Sequence, residues 1–175
     1  YFYYPARDAT GVGQAVIQFL PAISEDAAPF VLTRSHRFGV QRGDGKKWLI
    51  DECPTTIGQD CPVCAANKVL WDTNLKENQE IVRERKRKTA YTARILVIED
   101  KKNPENEGKV FMFRFGQKIF DKIADALSPE DEGDKKYNVF GIPGEKDPWP
   151  VFRFRIRKVE GQTNYDKSAF ESAED

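Results

Sequence analysis

Residues 36–64 read HRFGVQRGDGKKWLIDECPTTIGQDCPVC, and this stretch holds the chain's one histidine and all three of its cysteines. These side chains are His36, Cys53, Cys61 and Cys64. Imidazole and thiolate are ligands that zinc prefers, and a Cys-x-x-Cys turn directs two sulfurs toward one ion. Four such ligands complete a tetrahedral shell and leave no position for a reactive water. The pattern therefore predicts one structural zinc ion that ties these segments together.

Two other interpretations of these four residues are open. In the first, the cysteines are free and buried, the histidine lies on the surface, and no metal is bound. In the second, the ion is catalytic, as in zinc nucleobase deaminases, which combine a Pro-Cys-x-x-Cys element with a His-x-Glu motif. Here Phe38 stands where the glutamate is needed, and Asp60 precedes Cys61 in place of proline. The sequence thus disfavours the deaminase.

Composition sets the broad class of the protein. The chain has 175 residues, with 28 basic and 28 acidic side chains, so its formal net charge is zero. Any attraction for a polyanion must therefore come from local patches. No apolar run is long enough to cross a bilayer, and no signal-peptide pattern opens the chain. Reduced, metal-binding thiols favour the cytoplasm, and the absence of an initiator methionine leads us to expect a piece of a longer protein.

Alternating apolar and polar residues predict a mainly β domain that spans 1–175. Short helices are predicted near Ala65–Leu70 and over 119–127, where apolar residues recur at helical spacing. Short strands otherwise dominate, which favours a small barrel. The predicted strands are Gln14–Phe19, Phe30–Phe38, Lys47–Ile50, Tyr91–Glu99, Lys109–Phe115 and Val151–Val159.

Two segments combine cations with aromatic side chains. Residues 83–88, RERKRK, carry five positive charges and lead directly into Tyr91. In 151–158, phenylalanine and isoleucine occupy one face of the predicted strand, and Arg153, Arg155 and Arg157 occupy the other. Cations beside aromatic rings are typical of surfaces that bind single-stranded nucleic acid. The alternative is that the charged run is merely a solvated loop.

Several longer motifs resemble one family, the single-stranded DNA-binding proteins of T-even-type bacteriophages. The resemblance covers about residues 12–170 in collinear order. The motifs that carry it are GQAVI at 13–17, CPVC at 61–64, KRKT at 86–89, PENEGKVF at 104–111, RFG at 114–116, DKI at 121–123 and NYD at 164–166.

The resemblance implies an OB-fold, a five-stranded barrel, with an inserted zinc-binding lobe at about 36–75. It places the structural zinc on the same four residues that composition selects. It also implies DNA contacts from aromatic and basic side chains, although Phe113 and Trp71 stand where tyrosine is typical, and Gln162 replaces a further aromatic. The predicted DNA-binding residues are Trp71, Arg85, Lys86, Arg87, Lys88, Tyr91, Phe113, Arg114 and Tyr165.

The resemblance also implies a function. We expect a non-enzymatic protein that coats single-stranded DNA without sequence preference during phage replication, recombination and repair. DNA would lie in a groove between the barrel and the zinc lobe, in the cytoplasm of the infected bacterial host. The expected partners are other copies of the full-length protein and phage replication and recombination proteins. The alternative is a zinc-stabilised protein-interaction module or an RNA-binding module.

Overall fold

Strands dominate the structure, a computed structural model that describes residues 1–24, 26–131, 133–141 and 149–173. The strands are β1 Gly13–Phe19, β2 Phe30–Arg42, β3 Gly45–Glu52, β4 Lys88–Glu99, β5 Val110–Phe115, β6 Val151–Val159, β7 Gln162–Asn164 and β8 Ala169–Glu171. The helices are α1 Pro62–Asp72, α2 Lys76–Arg85 and α3 Gln117–Leu127. Short 3-10 turns lie at Pro54–Ile57 and Pro104–Asn106. None of the described helices combines the length and the apolar character that crossing a membrane requires.

The chain divides into two compact units. Unit 1 comprises Tyr1–Val31 and Tyr91–Asp175, and unit 2 comprises Leu32–Ala90. The chain therefore passes from unit 1 to unit 2 within β2, and returns within β4. The predicted zinc lobe, at about 36–75, falls inside unit 2, and the single-domain assignment of 1–175 stays a prediction.

Unit 1 contains an antiparallel sheet in which β1 pairs with β4 on one side and with β6 on the other. β5 continues the sheet beyond β4, and β7 and β8 both pair with β6. The period of two in these strands directs alternate side chains to opposite faces. Phe152, Phe154 and Ile156 of β6 are buried as predicted, whereas Arg155 and Arg157 are exposed.

Aromatic rings fill the core of unit 1. The ring of Phe19, on β1, lies within 6.4 Å of five other phenylalanine rings, measured between centroids. Burying one such side chain removes a large apolar area from water, and tilted or edge-on ring pairs add to that gain. These five rings belong to Phe113, Phe115, Phe140, Phe152 and Phe170.

The N-terminal segment covers the free edge of β5. The backbone N–H of Tyr3 donates to the carbonyl of Met112 at 2.8 Å, and Phe2 forms a parallel bridge with Met112. Tyr3 is buried, and its hydroxyl donates to Oδ2 of the buried Asp100 at 2.9 Å. Burial is the main reason why the pKa of Tyr3 is raised well above its usual range, and the hydrogen bond to Asp100 adds to it.

The mainly β class with short helices is confirmed, but the five-stranded closed barrel is not. β5 lies at one end of the unit 1 sheet and β6, with its two short partners, at the other. The rings of Phe113 on β5 and Phe154 on β6 meet at 5.5 Å, so the sheet curls. Among the described residues no ladder of hydrogen bonds joins these two strands, and the sheet is therefore not closed.

Unit 2 is built from the β2–β3 hairpin and the helices α1 and α2. The hairpin turns at Gly43, whose φ of 58° lies in the left-handed region that glycine adopts without strain. All six predicted strands and both predicted helices are present, with somewhat different bounds. The sequence prediction missed α2, which contains Arg83 and Arg85, so the run RERKRK is half helix and not a loop. It also missed the short strands β7 and β8.

Candidate metal centre and nucleic-acid interface

The four predicted metal ligands come together in unit 2. Their ligand atoms all lie within 4.8 Å of one another, and this group can hold a metal ion. His36 lies on β2, Cys53 follows β3, Cys61 caps the N-terminus of α1, and Cys64 lies in its first turn. His36, Cys53 and Cys61 are buried, and Cys64 is half-buried.

Local sequence explains why the two CPVC sulfurs converge. Pro62 occupies the first position of α1, where its missing N–H costs no hydrogen bond. The N–H of Ala65 donates to the carbonyl of Cys61 at 3.0 Å, which closes the first turn. Residues three apart share one face of a helix, so Cys61 and Cys64 point the same way.

Three of the six distances between the ligand atoms are close to those of a tetrahedral zinc shell. Nε2 of His36 lies 3.4 Å from Sγ of Cys61 and 3.5 Å from Sγ of Cys64. The sulfurs of Cys53 and Cys64 are 3.7 Å apart. Zinc bonds of about 2.3 Å to sulfur and 2.0–2.1 Å to nitrogen separate two sulfurs by about 3.8 Å and a sulfur and a nitrogen by about 3.6 Å. The donor set and its spacing therefore both suit a four-coordinate ion.

Neighbouring groups orient two of the ligands. Nδ1 of His36 donates to the backbone carbonyl of Arg85 at 2.8 Å, which leaves the lone pair on Nε2 facing the sulfurs. The Thr55 hydroxyl lies 3.1 Å from Sγ of Cys53 and accepts a hydrogen bond from Nη1 of Arg87 at 3.2 Å. The basic run at 83–88 is thus hydrogen-bonded to the cluster through the Arg85 carbonyl and, by way of Thr55, the Arg87 guanidinium.

The thiols differ in how readily they ionise. Burial raises the pKa of Cys53, but hydrogen bonds from Thr55 and from the other two thiols outweigh this effect and lower the pKa to about 6. Burial is also the main reason why the pKa of Cys64 is raised to about 11, and hydrogen bonds and charge at Cys53 and Cys61 add to it. The Cys53 thiol is therefore the more acidic of these two.

The predicted basic residues are mostly accessible. In unit 2 the side chains of Lys86, Arg87 and Lys88 are exposed, and Arg85 is half-buried with its guanidinium 5.4 Å from the Phe38 ring centroid. In unit 1, Arg114 is exposed on β5. The role of these cations as phosphate contacts stays a prediction.

The predicted aromatic residues fall into two groups. Trp71 is 44% exposed at the end of α1, and the guanidinium of Arg83 lies 5.9 Å from its ring centroid. Tyr165 is half-buried and meets Phe154 edge-on. Tyr91 and Phe113 are only 5% and 4% exposed.

Protein rings already cover the two buried aromatics. Tyr91 stacks on Phe120 at 4.1 Å with the planes 6° apart, and Phe113 stacks on Phe115 at 5.5 Å. A base can stack on either ring only if a neighbour moves. The role of Tyr91 and Phe113 as DNA contacts therefore stays a prediction.

Two arginines of the predicted outward stripe are engaged in ion pairs. Arg153 donates from Nε to Glu171 at 2.6 Å, and Arg155 donates from Nη2 to the same carboxylate at 2.8 Å. Glu99 lies 3.8 Å from Nη1 of Arg153. The stripe faces outward as predicted, but much of its charge is neutralised within unit 1.

Sequence reasoning missed three contributors to the site. Arg83 was seen only as part of a charged run, because the helix that presents it beside Trp71 was not predicted. Thr55 was not considered, although a threonine two residues after a ligand cysteine is a usable signal for a hydrogen bond to sulfur. The carbonyl of Arg85 has no sequence signal, since every residue carries one.

Together, the mainly β fold, the His-Cys cluster and the exposed cations define the class of small, mainly β proteins that combine a group of potential metal ligands with exposed basic side chains. Residues 11–175 match the family model described as gp32 DNA binding protein like. The chain belongs to this family, which confirms the resemblance found in the sequence.

Individual relatives agree with the family match. The chain is 41% identical over 170 residues to the single-stranded DNA-binding proteins of Enterobacteria phage T4 and Enterobacteria phage T2, over 93% of this chain and 52% of each relative. It is 40% identical over 88 residues to the protein of the same name from Enterobacteria phage RB70, over 48% of this chain and 68% of that relative. The chain spans about half the length of the T4 and T2 relatives.

Proposed function

We propose that this chain is the core of a protein that binds single-stranded DNA without sequence preference and without catalysing a reaction. The observation that carries the proposal is the family match over residues 11–175, together with T4 and T2 relatives that are named single-stranded DNA-binding proteins. The exposed cations and the accessible ring faces of the two units support it.

The basic side chains supply the affinity that does not depend on sequence. Lys86, Arg87 and Lys88 are exposed on successive residues, and Arg114 adds a further exposed cation in unit 1. Each phosphate that a cation neutralises releases a counterion, so binding weakens as the salt concentration rises. For a single strand the expected slope of log K against log salt is about −0.7 per phosphate contact.

The aromatic side chains supply a preference for unpaired bases. Trp71 and Tyr165 retain accessible ring surface, and a stacked base contributes about 1–3 kcal/mol whatever its identity. In a duplex the bases are stacked on one another and cannot reach these rings. Binding therefore favours separated strands by mass action, and no nucleotide hydrolysis is needed.

The metal in this proposal is one structural zinc ion held by His36, Cys53, Cys61 and Cys64. Thiolate and imidazole ligands suit zinc, and four protein ligands leave no position for a catalytic water. The ion would order the segments that carry its ligands. The ion would also restrict the motion of the basic run at 83–88. Nδ1 of His36 donates to the Arg85 carbonyl, and Thr55 contacts both Cys53 and Arg87.

The cellular setting is proposed from the family alone. We expect the full-length protein to coat single strands during phage replication, recombination and repair in the cytoplasm of the infected host. Its partners would be further copies of itself and phage replication and recombination proteins.

Titration with an oligo-dT at several salt concentrations tests the proposal. The triple variant K86A/R87A/K88A should bind more weakly than wild type, and its salt slope should be flatter by about 2, for three lost phosphate contacts. A control variant, K109A/K118A/K136A, replaces three exposed lysines of unit 1 and so removes as much positive charge as the triple variant. It should change the affinity and the slope much less.

Two results would contradict the proposal. One is an absence of wild-type binding to oligo-dT at low salt, and the other is a preference for duplex DNA over the single strand. A parallel titration with poly-rU distinguishes the RNA-binding alternative, which predicts tighter binding to that polymer.

A further inference from the structure

One face of the β2–β3 hairpin carries two exposed apolar side chains that the proposed DNA contacts do not use. Trp48 is 63% exposed and Ile50, two residues along β3, is 62% exposed. In the antiparallel register Trp48 stands opposite Gly39, and Ile50 stands opposite Arg37. Because β3 alternates with a period of two, both apolar side chains lie on one face.

Cations line the same concave region as Trp48. A shallow concave region of about 590 Å³ is lined by Trp48 and Ile50 and by four charged side chains. These four are Arg37, Lys46, Lys88 and Glu84. Within the described residues, no ion pair with a carboxylate engages any of the three cations. The region therefore carries a net positive charge that the protein itself leaves available.

Gly39 makes room for one of these cations. A Cβ added at Gly39 would lie 1.8 Å from Cε of Lys46, so the lysine side chain crosses the space that any other residue would fill. From there its ammonium nitrogen lies 5.6 Å from the Trp48 ring centroid. The glycine opposite Trp48 thus lets the hairpin place a positive charge beside an exposed indole.

We propose that Trp48 is a base-stacking residue for single-stranded DNA, and that Arg37, Lys46 and Lys88 contact the flanking phosphates. This inference rests on the proposed function and adds a subsite to it. An indole beside unpaired cations complements a polymer that alternates base faces with phosphates. Lys88 belongs both to this region and to the basic segment Lys86–Lys88, so a bound strand can pass from one to the other.

Equilibrium titration with oligo-dT at fixed low salt tests the subsite. W48A should weaken binding about 5- to 150-fold, the range expected when one base loses its stacking partner, with an unchanged salt slope. W48F keeps an aromatic face and should recover most of the affinity. K46A should flatten the slope by about 0.7. V69A, which trims another exposed apolar side chain of unit 2, is the matched control and should bind like wild type.

Photocrosslinking of the wild-type chain provides a test that needs no variant. An oligo-dT that contains 5-iodo-deoxyuridine should crosslink to a peptide that includes Trp48, identified by mass spectrometry. Crosslinks confined to other peptides would overturn the subsite, whether or not W48A folds.

The outcomes separate the two proposals. If W48A binds like wild type while K86A/R87A/K88A binds weakly, the Trp48 subsite is wrong and the proposed function stands. If wild type itself does not bind oligo-dT, the proposed function fails and the subsite fails with it.

Discussion

The two units bury very different kinds of side chain. Unit 1 encloses a continuous set of aromatic and β-branched residues, with Phe19 among five other rings. Residues 32–90, all of them described, bury one large apolar side chain, Phe38, and their other buried groups are His36, Cys53, Cys61 and Asn67. Hydrophobic burial therefore stabilises unit 1, whereas we expect unit 2 to depend on its ligand cluster.

Removal of the metal should have the largest effect, and this effect should be confined to unit 2. Structural zinc contributes on the order of 10–16 kcal/mol in small zinc-binding peptides, far more than one buried phenylalanine. We therefore expect chelation, or the substitution C61S, to abolish amide-exchange protection in 32–90 while β1 and β6 keep theirs. Hydrogen exchange with mass spectrometry measures both regions at once.

The neighbouring substitution D60N is the control for C61S, because Asp60 is exposed and contributes no ligand atom to the cluster. It should keep the metal and the exchange protection. Protection in 32–90 that survives complete metal removal would show that unit 2 does not need the ion.

The substitution F19A should have the next largest effect, on unit 1. Truncating a fully buried phenylalanine in a well-packed core costs about 3–5 kcal/mol of unfolding free energy. Chemical denaturation should show this loss, and metal content should stay at the wild-type value. F2A is the control, since Phe2 is half exposed. If F19A lowered the unfolding free energy only slightly and also lost the metal, the two units would not be stabilised in different ways.

The substitution Y3F should lower the unfolding free energy by about 1–3 kcal/mol, because it leaves the buried Oδ2 of Asp100 without its donor. Y4F removes a hydroxyl from an exposed ring nearby and should change little. Denaturant titrations of the three proteins at pH 7 provide the measurement. Equal stabilities for Y3F and Y4F would contradict the assigned hydrogen bond.

The stability difference between wild type and Y3F should also depend on pH. The folded-state pKa of Tyr3 is raised above its unfolded value near 10, so its stabilising contribution is complete below about pH 10. Above that pH the unfolded chain releases the proton and the folded chain holds it, and wild type loses stability. The difference between wild type and Y3F should therefore shrink as the pH rises above about 10. A difference that grows instead would reverse the sign of the shift.

The smallest effect is expected from E171Q in unit 1. Glu171 accepts hydrogen bonds from Arg153 and Arg155, but these groups are only partly buried, and such pairs contribute about 1 kcal/mol or less. Denaturation at low and high salt should show a loss that salt reduces, and E160Q at an exposed position is the control. A loss above about 2 kcal/mol would place the ion pairs among the main stabilising interactions of unit 1.

Local patterns predicted much of the fold and the ligand set. The alternation in 151–158 identified β6 and its buried face, and the spacing of His36, Cys53, Cys61 and Cys64 identified the cluster. Helix α2 was missed because its run of charged residues has little apolar periodicity, and a solvated helix and a loop look alike in such a sequence. Trp48 was not singled out, because exposure of one ring in a strand depends on what packs against it.

Residue type and local spacing were enough to predict the family, the four residues of the ligand cluster, the six longer strands and two of the three described helices. Contacts between distant residues, which no local pattern encodes, leave the sheet open, cover Tyr91 and Phe113 with neighbouring rings, and pair Glu171 with two arginines. The same contacts leave the Trp48 ring exposed beside Lys46. Burial and ion pairing depend on which distant residues meet in the fold, and the local sequence pattern does not specify those contacts.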